Sequence, residues 1–142
     1  MNATSDRQKI KVVDSNVPVI LVVEDEVDNL LLLCHTLIFL RLNFITATEG
    51  QTALELATKY EIDLVLLDLL LPDTNGFEIA SLLKQNKSTQ NMPIIAVSGL
   101  SQQEDRDRAL ELGCNDYLLK PYLIEELKTK IYQCLPTAKP WN

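Results

Sequence analysis

Short apolar runs alternate with segments of helical periodicity along most of this 142-residue chain. The pattern predicts strands at 19–23, 43–47, 63–67, 93–97 and 115–119, and helices at 27–40, 50–59, 76–84, 102–112 and 124–135. Each strand is followed by a single helix, and this alternation is typical of a parallel sheet covered by helices on both faces.

Right-handed crossovers leave few ways of ordering five such units in one sheet. We predict an α/β, flavodoxin-like, doubly wound (βα)5 fold with a five-stranded parallel sheet in the order 2-1-3-4-5. Local signals at the helix boundaries are Thr48 before the second helix, Asn75-Gly76 at the turn into the third, Gly113 after the fourth, and Ser101 three residues before Glu104 as a candidate capping box.

Length and composition fit one globular domain, with 46% hydrophobic and 23% charged residues. We predict a flexible arm at 1–17, the folded domain at 18–135 and a short tail at 136–142. The net charge of −7 argues against binding to nucleic acid through phosphate neutralisation. The three cysteines lack metal-ligand spacing, and there is neither a long apolar stretch nor a signal-peptide pattern, so we expect a cytoplasmic protein away from membranes.

Acidic, hydroxyl and basic residues stand where four of the predicted strands end. They are Glu24 and Asp25 after the first, Asp68 after the third, Ser98 after the fourth and Lys120 after the fifth. In the order 2-1-3-4-5 the topology reverses between strands 1 and 3, and ligands bind in the crevice at such a point. The sequence therefore predicts that Glu24, Asp25 and Asp68 face one another there.

Three carboxylates in one crevice repel one another unless a cation offsets their charge. Oxygen ligands with open coordination positions suit Mg²⁺, which commonly also contacts phosphate oxygens. A carboxylate can act as a nucleophile and form an aspartyl phosphate, while Lys120 and Ser98 could contact phosphoryl oxygens. These residues predict phosphoryl transfer onto Asp68, with Mg²⁺ and Lys120 neutralising the developing charge.

Four motifs, in this order and spacing, resemble the receiver domain of bacterial two-component response regulators, in particular stand-alone receivers of the chemotaxis-regulator type. The motifs are Val-Val-Glu24-Asp25-Glu26, Leu-Leu-Asp68-Leu-Leu-Leu-Pro72-Asp-Thr-Asn-Gly76-Phe-Glu, Ala-Val-Ser98-Gly and Asn-Asp-Tyr117-Leu-Leu-Lys120-Pro121. The resemblance covers residues 18–135, which is nearly the whole chain.

The resemblance implies a role for each acid of the crevice. Asp68 would accept a phosphoryl group from a sensor histidine kinase or a histidine phosphotransfer protein. Mg²⁺ would bind Asp25, Asp68 and the backbone carbonyl of Leu70 directly, and Glu24 through a water molecule.

The same resemblance implies a switch. Lys120 would hold a phosphoryl oxygen, and its peptide bond to Pro121 would be cis. Ser98 would move toward the phosphoryl group while Tyr117 changes rotamer, which alters the affinity for a downstream protein target. The chain would then be a single-domain response regulator, and not an enzyme apart from catalysing its own phosphorylation and dephosphorylation.

Three rival functions are compatible with the fold. A phosphate-independent binding module with the receiver fold tends to lose an acid, the hydroxyl or the lysine, and this sequence has all of them. A flavodoxin-like electron carrier would place the flavin phosphate against Glu24-Asp25-Glu26, which would repel it. Asp68 also lacks the second aspartate of the aspartate-nucleophile phosphatases.

Several positions depart from the common receiver pattern. Ser98 replaces a more usual threonine and Gly99 a frequent alanine, so we expect a looser loop here. Leu70 and Leu100 would flank the site with side chains that cannot orient an attacking water, which predicts slow loss of the phosphoryl group. Arg41 stands where a glycine often follows the first helix.

The first predicted helix is apolar nearly all round, whereas a helix on a sheet needs only one apolar stripe. Leu31, Cys34 and Ile38 form a second stripe at helical spacing, which could be exposed. This stripe is interpreted equally well as a docking or homodimer surface, or as a surface that the N-terminal arm or the tail covers.

Single residues also have simpler interpretations. Asp25 by itself could cap the first helix, because carboxylates favour helix N-termini. Tyr117 by itself could be a core aromatic residue. His35, the only histidine, has no partner for a metal site or a catalytic triad and is expected at the surface or its boundary.

Overall fold

The computed structural model describes residues 17–135 of the chain. Apart from Val17, the predicted arm at 1–17 lies outside the described residues, and so does the predicted tail at 136–142.

Five strands and five helices alternate along the described residues. The strands are β1 (Val19–Val23), β2 (Asn43–Ala47), β3 (Leu64–Asp68), β4 (Ile94–Ser98) and β5 (Asp116–Leu119). The helices are α1 (Val27–Phe39), α2 (Gly50–Lys59), α3 (Gly76–Gln85), α4 (Gln103–Glu111) and α5 (Ile124–Cys134). The strands form one parallel sheet in the order β2-β1-β3-β4-β5, which confirms the predicted fold and strand order.

The predicted element boundaries agree with the structure to within one residue at each end. The small differences matter at two places. Asp68 and Ser98 are the last residues of β3 and β4 rather than the first residues after them. Both side chains are therefore held by the sheet ladder, where Asp68 pairs with Val97 and Ser98 pairs with Leu119.

The sheet separates two hydrophobic layers because successive residues of a strand point to opposite faces. On one face, Val19, Leu21 and Val23 pack with buried residues of α2, α3 and α4. On the other face, Ile20 and Val22 pack with buried residues of α1 and α5. Every residue of β1, β3 and β4 is buried, as expected for central strands of a sheet covered on both sides.

Two of the predicted helix boundary signals have the expected structure. The side chain of Asn75 accepts a hydrogen bond from Glu78 N at 2.9 Å and so caps α3. Gly113 follows α4 with a φ of 109°, a conformation that suits glycine. Arg41, where glycine was noted as the common residue, also has a positive φ of 62° after the end of α1.

Two other boundary signals were wrong. The residue that caps α4 is Gln102, which makes no side-chain capping hydrogen bond, so Ser101 and Glu104 do not form the expected capping box. Glu49, not Thr48, occupies the cap position of α2 and likewise provides no side-chain hydrogen bond. Backbone N–H groups at the start of α2 instead donate to a side chain in the loop between β3 and α3.

Candidate functional site

The carboxyl ends of four strands converge on one edge of the sheet. Glu24 directly follows β1, and its backbone N–H donates to Ala47 O at 3.0 Å. Lys120 directly follows β5, and its N–H donates to Ser98 O at 2.8 Å. The structure therefore brings Glu24, Lys120 and the strand-end residues Asp68 and Ser98 to the same edge, as the strand order predicted.

Three carboxylates form a cluster at this edge. Oxygen atoms of Glu24, Asp25 and Asp68 all lie within 4.8 Å of one another. Glu24 is fully buried, Asp68 is nearly so at 5% exposure, and Asp25 is exposed. Hard oxygen donors with one side open to solvent are a donor set that fits Mg²⁺, which retains several water ligands in proteins.

Lys120 reaches into this cluster. Its Nζ lies 2.8 Å from Glu24 Oε1 and 3.4 Å from Asp68 Oδ2. Desolvation lowers the pKa of Lys120, but the hydrogen bond to Glu24 and the charges of both acids outweigh this effect and raise the pKa above its ordinary value. The lysine is therefore fully protonated at neutral pH and offsets part of the negative charge.

Glu24 is held in the cluster at both carboxylate oxygens. Oε1 accepts from Lys120, and Oε2 accepts from the backbone N–H of Glu26 at 3.1 Å. Burial raises the pKa of Glu24, reinforced by the charge of Asp68, and these effects exceed the opposing effect of the two hydrogen bonds. The site thus tolerates an ionised Glu24 only at some cost in stability.

Asp25 does not cap α1. The side chain of Glu26 does so, because its Oε1 accepts from Asn29 N at 2.9 Å. The simpler interpretation of Asp25 as a helix cap is therefore wrong. Asp25 instead lines a cavity of about 400 Å³ together with the loop from Leu69 to Asn75.

The β3–α3 loop that follows Asp68 is held close to it. The N–H of Leu70 donates to Asp68 Oδ1 at 3.0 Å, and the N–H of Gly76 donates to Leu69 O at 2.8 Å. A Cβ atom on Gly76 would lie 2.6 Å from the backbone oxygen of Asp68, so only glycine fits without a shift of the backbone. Leu70 itself is 55% exposed at the mouth of the site.

Asp73, which no sequence pattern singled out, anchors this loop to α2. Its two carboxylate oxygens accept hydrogen bonds from Gly50 N at 2.8 Å and Gln51 N at 3.0 Å. These bonds lower the pKa of Asp73, and they satisfy N–H groups at the start of α2 that Glu49 leaves without a side-chain cap. A helix start without an adequate cap residue was the sequence signal that could have pointed to a distant acceptor.

Ser98 and Tyr117 are linked through the backbone of Leu100. The fully buried Ser98 Oγ accepts from Leu100 N at 3.0 Å, and the hydroxyl of Tyr117 donates to Leu100 O at 2.6 Å. Tyr117 is 5% exposed and belongs to the hydrophobic core, and burial raises its pKa. In this one rotamer, Tyr117 therefore both packs in the hydrophobic core and donates the hydrogen bond to Leu100 O.

Two further expectations were tested directly by the structure. The Lys120–Pro121 peptide bond is cis, as predicted. His35 is exposed on α1 and lies outside the acidic cluster, also as predicted. Among residues 17–135, no helix is both long and apolar enough to cross a bilayer.

Comparison with known proteins shows the family. Residues 20–132 match the sequence model of the response regulator receiver domain. A Vibrio cholerae protein named "Probable cyclic di-GMP phosphodiesterase" is 38% identical over 121 residues, which are 84% of this chain and 27% of that protein. The response regulator ArlR of Staphylococcus aureus is 39% identical over 112 residues, which are 79% of this chain and 50% of that protein. This chain thus spans half or less of the length of these two relatives.

Solved structures agree with the sequence comparison. The receiver domain of the sensor histidine kinase PA1611 from Pseudomonas aeruginosa PAO1 superposes with a TM-score of 0.79 at 28% identity, covering 85% of this chain and 99% of that one. That structure contains a magnesium ion coordinated in its active-site cleft. The strand order, the acidic cluster and these matches lead to one conclusion: the chain belongs to the response regulator receiver domain family.

Proposed function

We propose that Asp68 accepts a phosphoryl group from a sensor histidine kinase or a histidine phosphotransfer protein, in a Mg²⁺-dependent reaction that switches protein–protein contacts. The observation that carries this proposal is the position of the Asp68 carboxylate. It lies within 4.8 Å of oxygen atoms of two other acids and 3.4 Å from the Lys120 ammonium, at the edge of the sheet where the strand order reverses. Membership of the receiver family supports the phosphoacceptor role.

In the proposed reaction a carboxylate oxygen of Asp68 forms a bond to the donor's phosphorus. The bond between phosphorus and the donor's leaving atom breaks, and that atom leaves with its electron pair. Lys120 moves from Glu24 toward the phosphoryl oxygens, since both acids are already within its reach. Outside this self-modification the chain has no enzymatic role in our proposal.

Asp25, Asp68 and the backbone carbonyl of Leu70 are the groups that would hold Mg²⁺ directly, with Glu24 acting through water. When bound, Mg²⁺ supplies positive charge that offsets the acids and the phosphoryl oxygens. The exposed Asp25 keeps this side of the cluster open to solvent and to a phosphodonor.

The switch uses the link through Leu100. In our proposal the Ser98 hydroxyl turns from the Leu100 N–H toward a phosphoryl oxygen, and the backbone of Leu100 is then free to move. Because Leu100 O accepts the Tyr117 hydroxyl, such movement reaches Tyr117 and the adjoining surface of α4 and β5. A downstream protein target that binds this surface would sense the phosphorylation state.

Intact-mass spectrometry after treatment with acetyl phosphate and Mg²⁺ tests the proposal. We expect the wild-type protein to gain about 80 Da, the mass of one phosphoryl group, and chelation of Mg²⁺ to prevent the gain. Asp68→Asn should gain nothing, whereas Asp107→Asn, the same change at an exposed position of α4, should be phosphorylated like the wild type.

A histidine-kinase donor provides the second arm of the experiment. If the wild-type protein gained no phosphoryl group from either donor, the phosphoacceptor role would be wrong. The chain would then be assigned to the alternative, a phosphate-independent binding module with the receiver fold.

A further inference from the structure

The solvent-facing side of α1 is mostly apolar. Seven residues of α1 are exposed, and only Asp28 and His35 among them are polar. The other five are Phe39 at 79% exposure, Val27 at 65%, Ile38 at 60%, Leu31 at 50% and Leu32 at 44%. Within the second stripe, Leu31 and Ile38 are exposed and Cys34 is half-buried. We define these five residues as the α1 patch.

The α1 patch is large for an exposed apolar surface on a monomeric protein. Side chains of these types, at these exposed fractions, present on the order of 500 Å² together, near the upper end for a monomeric protein. A stable interface buries roughly 800 Å² on each partner. The patch together with its polar border approaches that area, so it can form the centre of an interface with another protein.

The spacing within α1 suits pairing with another helix. Val27, Leu31, Cys34 and Ile38 recur at alternating steps of four and three residues, the pattern of a helix–helix seam. The seam carries no charge, so it does not oppose contact between two copies of a chain whose net charge is −7.

The charges at the two ends of α1 favour one relative orientation of two packed α1 helices. Asp25, Glu26 and Asp28 surround its N-terminus, and Arg41 follows its C-terminus, all of them exposed. Within residues 17–135, Asp28 and Arg41 make no ion pair with another side chain. If two α1 helices packed in parallel, the acids of both copies would lie together and repel one another. If they packed antiparallel, each acidic N-terminus would lie beside the arginine of the other copy, and the two helix dipoles would attract each other.

We propose that α1 is a homodimer interface, in which the α1 patches of two copies pack antiparallel about a two-fold axis near Leu31 and Cys34. Such an interface is isologous, so each contact occurs twice. Residues 1–16 and 136–142 are weaker candidates for covering the patch. The large apolar residues there are scattered over the two segments, as Met1, Ile10, Val12, Val13 and Trp141, whereas a second copy brings all five patch residues on one helix.

Sedimentation velocity of the full, unphosphorylated chain tests the proposal across a range of concentrations. We expect a monomer–dimer equilibrium that Leu31→Lys with Ile38→Lys weakens at least tenfold, because charge is placed in the seam. Leu82→Lys is the matched control, since Leu82 is 41% exposed on α3, away from α1. Circular dichroism checks that each variant is folded, and the Asp68→Asn variant should dimerise like the wild type.

A charge exchange tests the orientation. Asp28→Arg and Arg41→Glu should each weaken the dimer by about threefold to tenfold, since a modest ion pair is lost twice. The two changes together should restore it. Failure of the combined variant to recover would overturn the antiparallel arrangement.

Three other outcomes overturn the interface. One is a monomer at every concentration, with or without residues 1–16. Another is a monomer that self-associates only after removal of residues 1–16, which would show that this segment covers the patch. The third is a dimer that the lysine substitutions in α1 leave unchanged, which would place the interface elsewhere.

Discussion

Lys120 Nζ lies closer to the fully buried Glu24, at 2.8 Å, than to any other acid of the cluster. The contact of this ammonium with Asp68 is longer, at 3.4 Å. The lysine is thus held mainly by an acid that we do not propose as phosphoacceptor, and it remains within reach of a phosphoryl group on Asp68. Three carboxylates face one ammonium, so the cluster keeps a net negative charge that a divalent cation would offset.

Glu24→Gln should stabilise the protein when Mg²⁺ is chelated. A folded-state pKa above the unfolded value means that ionised Glu24 costs stability as the pH rises through the folded-state pKa, and glutamine removes this cost. The single amide oxygen can still accept from Lys120, whereas the N–H of Glu26 loses its acceptor, which offsets part of the gain. We expect a gain of about 0.5–2 kcal/mol at pH 7. Urea unfolding with and without Mg²⁺ should show that Mg²⁺ stabilises the wild type more than the variant.

Glu111→Gln, at an exposed position of α4, is the control for this experiment and should respond to Mg²⁺ like the wild type. Equal stabilisation of the wild type and Glu24→Gln by Mg²⁺ would argue against a role for Glu24 at the cation site.

Asp73→Asn should destabilise the protein in a pH-dependent way. Because the folded-state pKa of Asp73 is lowered, its stabilisation is complete above the unfolded-state pKa, near 3.9, and is lost as the pH falls through the folded value. Asparagine keeps one acceptor oxygen for the two N–H groups of Gly50 and Gln51. The difference in unfolding free energy between wild type and variant should therefore shrink in acid, and a difference that is constant from pH 7 to pH 3 would contradict the assignment.

Gly76→Ala should disturb the loop that follows Asp68. The Cβ of the alanine would lie 2.6 Å from both Asp68 O and Leu69 Cα. These are backbone atoms, so relieving the clash requires a shift of the backbone. We expect a loss of about 1–3 kcal/mol in the free energy of unfolding, the usual cost of overpacking, and slower phosphorylation by acetyl phosphate.

Gly99→Ala is the matched control for Gly76→Ala. Apart from Gly99 itself and its two chain neighbours, no heavy atom lies within 4 Å of a Cβ at this position. Alanine should stabilise the protein by about 0.4–1 kcal/mol, because it restricts the unfolded chain. Similar destabilisation by the two alanines would show that the close approach at Gly76 is not the cause.

Arg41→Gly should raise stability by about 1 kcal/mol, since Arg41 has a φ of 62° and glycine adopts the left-handed region without steric cost. Arg41→Ala removes the same charge but keeps the Cβ, so it should give little gain. Thermal unfolding at a concentration low enough to keep the protein monomeric compares the three proteins. An equal gain in both variants would assign the effect to charge rather than to the backbone.

The phosphorylated protein should lose its phosphoryl group slowly, over minutes or longer. The side chains of the exposed Leu70 and the half-buried Leu100 offer no hydrogen bond to an attacking water. Leu70→Gln adds a side chain that can hydrogen-bond the attacking water. We expect it to shorten the lifetime of the phosphorylated protein by roughly tenfold, which is less than a positioned general acid or base contributes. Mass spectrometry over time measures the decay, with Leu82→Gln as the control, and a wild-type lifetime of only seconds would contradict the prediction.

Much of the fold followed from local patterns. Buried runs such as Leu64–Asp68 are apolar nearly throughout, and the alternation with helices allows few arrangements once crossovers are right-handed. The convergence of Glu24, Asp68, Ser98 and Lys120 followed in turn, because the ends of parallel strands share one edge. Helix caps were less predictable, as the errors at Ser101 and Thr48 show, because several neighbouring polar residues can each serve as a cap.

By itself, the sequence determined the order of the strands and which side chains meet at their carboxyl ends, since both depend on periodicity and chain connectivity. Only the tertiary structure decided that Asp73 caps α2 from another loop, that Lys120 lies nearest to Glu24, and that the α1 patch is left exposed. The physical reason is that these contacts join residues far apart in the chain, and their distances depend on how the helices pack on the sheet rather than on any local pattern.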